Sequence, residues 1–287
     1  MKLNSSQLEA FFCVAKTLNF TKAAEVLHVT QSALSQRIAK LEEELETTLF
    51  IRERSSIRLT EEGQKVLRFC QFNQSAESDL LLDLKGNQNE LGGVLRIAGF
   101  SSVNRSLVIP ALRKTMTTNS NLSIQLITKE IRDLDDLLQS AEVDYIISDA
   151  QSASSEIESI FLGYEDNVLV VSKKYPESEI YLDHDENDHV TKKYFLQKKI
   201  KFKPTKMRYL DDVYGLIDGI RNGYGKAVIP RHLIEDFRDL EIIDSQKFLR
   251  IPVYLQFFKQ PYFKKIHDQV VKDLTSYFSS MLQQEKK

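Results

Sequence analysis

Apolar positions recur at helical spacing through the first sixty residues. LEAFFCVAKTLNF sets Leu8, Phe11, Phe12, Ala15 and Leu18 on one face, and TKAAEVLHV adds Ala23, Ala24 and Leu27 on a second, short helix opened by Thr21. His28 and Val29 make a turn. A third helix follows from Gln31, N-capped by Thr30, with Leu34, Ile38, Leu41 and Leu45 on one narrow stripe. LFIRERSSIRLTEEG then breaks the helical period, and Ile51 with Ile57 and Leu59 predicts a short two-stranded wing around residues 53–56.

From Thr60 the pattern is again helical, with Glu61 and Glu62 in the first turn and no proline before KGNQNELGG. Val66, Phe69, Asn73, Ala76 and Leu80 follow a heptad spacing, which predicts either a coiled-coil seam between two copies or a helix packed on its own domain. After Gly92 and Gly93 short apolar strands alternate with helices: VLRIAGF, then NRSLVIPALRKTM with Pro110 inside it, LSIQLIT, IRDLDDLLQSAE, VDYIIS and SIFLGYEDNVLVVS. EIYLD, HVTKKYFLQKK, KPTKMRYL, a helix from Asp211, a Gly-rich turn, a strand over Ala227–Ile229, a further helix, RIPVYLQFFK and a closing amphipathic helix complete the run. Such alternation predicts a doubly wound parallel sheet, which binds ligands beyond the carboxyl ends of its strands.

The third helix carries unusual polar chemistry. Its outward side holds Ser32, Ser35, Gln36 and Lys40, flanked by Gln31 and Arg37, and no acid appears before Glu42. A solvated helix ordinarily puts acids in its first turn. Gln and Arg form paired hydrogen bonds to base edges, and Ser lets the backbone approach a groove. Two short helices joined by a tight turn, with this face on the second, predict a helix-turn-helix whose second helix enters the major groove. Arg52, Arg54 and Arg58 of the wing fall near a phosphate backbone. The net charge of −2 is unlike a DNA-binding protein until it is localised: Lys16, Lys22, Arg37 and Lys40 face only Glu25 between residues 16 and 41.

The run FTKAAEVLHVTQSALSQRIAKLEEELETTLFIRERSSIRLTEEG resembles the N-terminal domain of the LysR-type transcriptional regulators. That resemblance implies that Gln31, Ser32 and Ser35 sit over base edges and that Gln36, Arg37 and Arg52 lie close to bases or phosphates. Gln36-Arg37 inverts the order many members carry, and Ser55 replaces a basic residue common in the wing. It further implies three parts: residues 1–60 as a winged helix-turn-helix, 61–91 as a dimerising linker helix, and 92–287 as an effector domain resembling periplasmic binding proteins. The effector domain would hold subdomain I at about 92–163 plus 258–287 and subdomain II at about 164–257, with a hinge near Tyr164 and Phe257. The expected partners are operator DNA, a small-molecule effector, a second copy or a tetramer of copies, and RNA polymerase for an activator.

By the same resemblance the effector lies between the subdomains, beside Phe100, Ser101, Ser102, Thr128, Ser148, Asp149, Asp183, His184 and Tyr224. Ser101-Ser102 opens a helix, where the hydroxyls either receive a ligand carboxylate with the free N–H groups or simply cap it. DHDENDH, Asp183 to His189, admits three readings: a metal site, which its spacing does not fit, a solvated acidic turn, or acids that select a cation. LDHDENDHVTKKYFLQ and QSALSQRI are similar to the lysine- and arginine-responsive branch of the family, which implies a basic amino acid, although Ser102 stands where that branch has an acid.

No G-x-S-x-G, phosphate-binding Gly loop or H-E-x-x-H is present, so an enzyme domain fused to a helix-turn-helix has no motif behind it. A regulator with a degenerate, ligand-free cleft is the other alternative. No cofactor or metal is expected. Without an apolar leader or a run long enough to span a bilayer, the protein is expected in the cytoplasm. Cys13 and Cys70 are two separated thiols outside the effector domain, which argues against thiol sensing there.

Overall fold

A computed structural model describes residues 4–53, 56–84, 91–199, 206–260, 263 and 265–282. The chain divides into two compact units, residues 1–93 with 139–142, and residues 94–138 with 143–287.

In the first unit α1 (Ser5–Thr17) is capped by Asn4, whose side chain accepts from Ser6 N, and it ends where Leu18 turns left-handed. The second helix, α2 (Phe20–Val26), is capped by Asn19 through Lys22 N, not opened by Thr21, because Asn19 reaches the free N–H groups one turn earlier. His28 takes a positive φ of 53° in the turn, and α3 (Gln31–Glu44) follows, with the Thr30 hydroxyl accepting from Ala33 N at 3.2 Å. Ala10, Phe11, Val14, Ala23, Leu34, Ile38, Leu41 and Leu49 form a water-free core between these helices. The wing is β1 (Phe50–Arg52) paired antiparallel with β2 (Ile57–Leu59), Ile51 opposite Arg58. Thr60 then caps α4 (Glu61–Leu84) through Gly63 N. Gly63 admits no side chain, since a Cβ would lie 2.2 Å from the Leu49 carbonyl oxygen.

The second unit opens with β3 (Gly93–Gly99) and a helical run over Ser101–Thr118, made of α5 (Ser101–Val103), a π turn (Asn104–Val108), α6 (Ile109–Ala111) and α7 (Arg113–Thr118). The helical run opens at Ser101, as the Ser101-Ser102 pair implied, three residues ahead of the periodic segment from Asn104. The wide turn falls just ahead of Pro110, which has no N–H to give to a regular α ladder. Next come β4 (Leu122–Thr128), α8 (Ile131–Gln139), β5 (Tyr145–Ser148) and β6 (Ile157–Ser172). They are followed by β7 (Ile180–Asp183), α9 (Val190–Gln197), β8 (Lys206–Tyr209), α10 (Val213–Arg221) and β9 (Lys226–Pro230). The chain closes with β10 (Leu240–Ile242), β11 (Leu249–Phe258) and α11 (Lys265–Met281). The helix expected after β9 is one 3-10 turn, Arg231–Leu233, because Leu233, Ile234 and Phe237 dock at once on the core and the chain must return to β10.

Nine described strands form one sheet in the order β4-β3-β5-β11-β6-β9-β7-β8, with β10 on β6. The expected parallel pairing holds for β3 with β5, in lobe I (β3, β4 and β5), and for β7 with β8 and β9, in lobe II, but β6 and β11 run antiparallel to each other through both lobes. Their register slips where Val253 faces Gly163 and Tyr254 faces Phe161. The partner change on β11 therefore falls at Val253–Tyr254, ahead of the expected Phe257. Alternation along β6 covers both faces of lobe II: Val168 and Val170 pack with Leu216, Ile217 and Ile220 of α10, while Leu169 packs with Tyr194 and Phe195 of α9.

Candidate functional site

Two regions carry chemistry, one in each unit. On α3 Gln31, Ser32, Gln36 and Lys40 are exposed, and Ser35 and Arg37 are half-covered. The first turn has no acid, and the Thr30 and Ser32 hydroxyls lie 3.0 Å apart at its end. The wing arginines are already engaged. Arg52 lies 4.5 Å over the Phe20 ring and 3.8 Å from Glu42 Oε2, and Arg58 pairs with Glu53. The hydrogen bond from Arg58 holds the Glu53 carboxyl below its ordinary range. Arg54 lies outside the described residues. Glu42, which ended the acid-free stretch, anchors the wing: its Oε1 accepts from Leu49 N at 2.8 Å and Phe50 N at 3.3 Å.

Along α4, Phe69, Asn73, Ala76 and Leu80 are exposed, Leu80 at 57%. Val66, placed with them by spacing, packs instead against the core of the first unit, next to the buried Leu67 and Cys70. Burial pushes the Cys70 thiol up to about 11, which leaves it a poor thiolate.

In the second unit a cleft of about 750 Å³ opens between the two lobes. Phe100, Ser101, Ser102, Thr128, Asp149 and His184 line it together. Asn104 fixes its floor: its buried amide donates to the carbonyls of Gly99 and Ile127, tying the ends of β3 and β4. Three expected residues are placed elsewhere. Ser148 is buried within β5, and Tyr224 is half-exposed with Arg208 donating to its carbonyl at 2.7 Å. Asp183 is 4% exposed and accepts from Thr191 Oγ1 at 2.5 Å, so it is buried in lobe II instead of lining the cleft. Burial raises the Asp183 carboxyl to about 7 against the opposing Thr191 hydrogen bond.

Of the rest of the acidic stretch, all but Glu186 line the cleft. Asp185 Oδ1 accepts from Asn187 N and Asp188 N, and Asp188 Oδ1 accepts from Val190 N at the start of α9. His184 Nδ1 lies 2.9 Å from Asp188 Oδ2. Burial works against the His184 cation, but the Asp188 hydrogen bond and charge outweigh it and raise that imidazole above its ordinary value. No group of three or more His, Cys, Asp or Glu among the described residues is placed to hold a metal. Eight carboxylates line the cleft against three lysine or arginine side chains.

Glu165 and Asn167, on the crossing strand β6, form part of the wall and were not anticipated. The signal was present as a carboxylate inside an otherwise apolar strand, IESIFLGYEDNVLVVS. Burial holds the Glu165 carboxyl at about 7, with the Asn167 amide opposing.

Among the described residues no helix is long and apolar enough to cross a membrane. Residues 5–64 match the model of the bacterial regulatory helix-turn-helix proteins of the lysR family, and residues 88–257 match the LysR substrate binding domain. The HTH-type transcriptional regulator YcgK of Bacillus subtilis (strain 168) is 31% identical over 161 residues, which take in 56% of this chain and 50% of YcgK. The chain spans about half the length of the curated relatives it matches. In fold it is similar to ArgP from Mycobacterium tuberculosis (TM-score 0.81, 19% identity, 99% of this chain and 100% of that one). It is also similar to full-length LysG from Corynebacterium glutamicum with bound effector Arg (TM-score 0.79, 15% identity, 98% and 100%). One model takes in the helix-turn-helix and the other most of the α/β domain that follows it, and the chain belongs to the LysR family of bacterial regulatory helix-turn-helix proteins.

Proposed function

We propose that the protein is a DNA-binding transcription regulator whose second unit binds a small metabolite, and that the metabolite is a basic amino acid, lysine or arginine. The observation that carries the ligand class is the charge of the cleft: eight carboxylates against three basic side chains, in a space of about 750 Å³, favour a cation of amino-acid size. Ser101 and Ser102, on the opposite lobe from the acidic loop, open the helical run and suit the ligand carboxylate. The arginine bound to LysG, a protein of the same fold, supports this reading.

On the DNA side, Gln31, Ser32 and Ser35 read base edges while Gln36, Arg37, Lys40 and the wing arginines hold phosphates. Phe69, Asn73, Ala76 and Leu80 form the seam that pairs two copies, supplying a recognition helix for each half-site. The test is a melting experiment with a metabolite panel followed by footprinting on the protein's own upstream DNA. Lysine or arginine should raise the melting temperature and change the footprint. A response confined to neutral or anionic compounds overturns the ligand class.

A further inference from the structure

Glu165 lies on the strand that both lobes share and is one of the residues lining the cleft. It is 4% exposed, and its Oε1 has no hydrogen-bond partner. The facing imidazole is His232, whose Nε2 stands 3.8 Å from that oxygen, beyond hydrogen-bond reach. That nitrogen is committed elsewhere, 3.0 Å from Ser106 Oγ. The Ser106 hydroxyl gives its one proton to the Ser102 carbonyl, so it can only accept from His232. The imidazole is therefore the tautomer with hydrogen on Nε2, directed at Ser106. Burial pulls its pKa down to about 4, which keeps it neutral near pH 7. Glu165 thus gains no counter-charge from its neighbours.

The other carboxylates of the wall are used differently. Asp185 Oδ1 and both Asp188 oxygens are taken up by backbone N–H groups and by His184, which shapes the loop, and both residues are more exposed than Glu165. Glu165 alone combines burial with an oxygen that accepts nothing. A buried carboxyl with one oxygen unpartnered costs stability unless a cation joins it, and the cleft is the route by which one can arrive.

We propose that Glu165 receives a cationic nitrogen of the bound ligand, its Oε1 accepting from an ammonium or guanidinium group at the wall of the cleft. This rests on the reading of the cleft as the effector site. Ser106 of lobe I and His232 of lobe II are positioning residues: their hydrogen bond holds the imidazole against Glu165 from both sides of the cleft. A cation seated on Glu165 therefore touches the strand common to both lobes and the contact that spans them.

The test is titration calorimetry on the full chain slightly above neutral pH, with lysine and arginine set against their neutral near-isosteres norleucine and citrulline. The wild type should prefer the cations, and Glu165→Gln should weaken both cations by at least about tenfold while changing the neutral compounds by less than about threefold. Unchanged cation affinity in Glu165→Gln overturns the assignment and leaves the effector reading standing. A wild type that binds neither cation overturns both. A crystal structure of the wild-type complex tests the point without any variant. A ligand nitrogen within about 3.5 Å of the Glu165 carboxyl supports it, and one seated only on Asp185 or Asp188 overturns it.

Discussion

Two carboxyl groups kept from water give this protein an unusual response to pH. Glu165 titrates at about 7 against an ordinary 4.5, and Asp183 at about 7 against 3.8, burial being the main cause in both. Because the folded values lie above the unfolded ones, the folded chain holds protons that the unfolded chain has released. Stability is full below the ordinary values and is lost as pH climbs through the interval to about 7, by on the order of 3 kcal/mol for each group. The raised His184 works in the same direction at its own upper edge. His232, pulled down by burial to about 4, and His267, also lowered, act in the opposite sense because they bind protons more readily in the unfolded chain, so the carboxyls are read from variants set against the wild type. By scanning calorimetry Glu165→Gln and Asp183→Asn should each gain melting temperature relative to the wild type as pH rises from about 5 to about 7.5, and a difference that does not change with pH contradicts the assignment. On α3, Gln31→Ala should lower discrimination between operator and scrambled DNA by about 1–3 kcal/mol. Arg52→Ala should instead weaken both DNAs alike and reduce the salt slope by about one. Binding curves over a range of salt separate the two, and a change in sequence preference alone for Arg52→Ala would place it on a base.

At the scale of elements, one substitution tests the seam proposed on α4. With Phe69 and Leu80 exposed on the single chain, Leu80→Asp should put like charges into a paired interface and give monomers by light scattering, with little change in the melting of the first unit. A dimer of unchanged size moves the interface elsewhere. The helices were legible wherever a cap and an apolar stripe coincide, as at Thr30 with Leu34, Ile38 and Leu41, and at Thr60 with α4. Asn19 was missed because Thr21 offers the same chemistry two residues later, and only the backbone geometry chooses between them. Val66 was misplaced for a related reason: the start of α4 packs on the core of its own unit, and heptad spacing does not tell a partner helix from an intramolecular one. Along β6 the apolar run did not show where one strand stops serving lobe I and begins serving lobe II, since residues buried on both faces have no period. Glu165 was lost in the same run, and Asp183 was drawn into the cleft because an acid beside His184 reads alike whether it faces a ligand or Thr191.

For the whole molecule, ligand-driven regulation requires that the open and closed cleft differ in their effect on DNA binding, and the coupling is limited by the ligand's preference between them. The lobes of the second unit touch through Ser106 and His232 and through Arg105, which lies 4.0 Å over the Tyr214 ring. The slip in β6 and β11 has a different consequence. Gly163 and Val253 are cross-strand partners, so the chain leaves lobe I and re-enters it at one point. In topological terms lobe II is an insertion at the tip of a β-hairpin, and the sheet order β4-β3-β5-β11-β6 is complete without it. Excising residues 164–252 and joining Gly163 to Val253 through an Asn-Gly turn should leave a shorter chain that unfolds cooperatively in calorimetry and no longer responds to lysine or arginine.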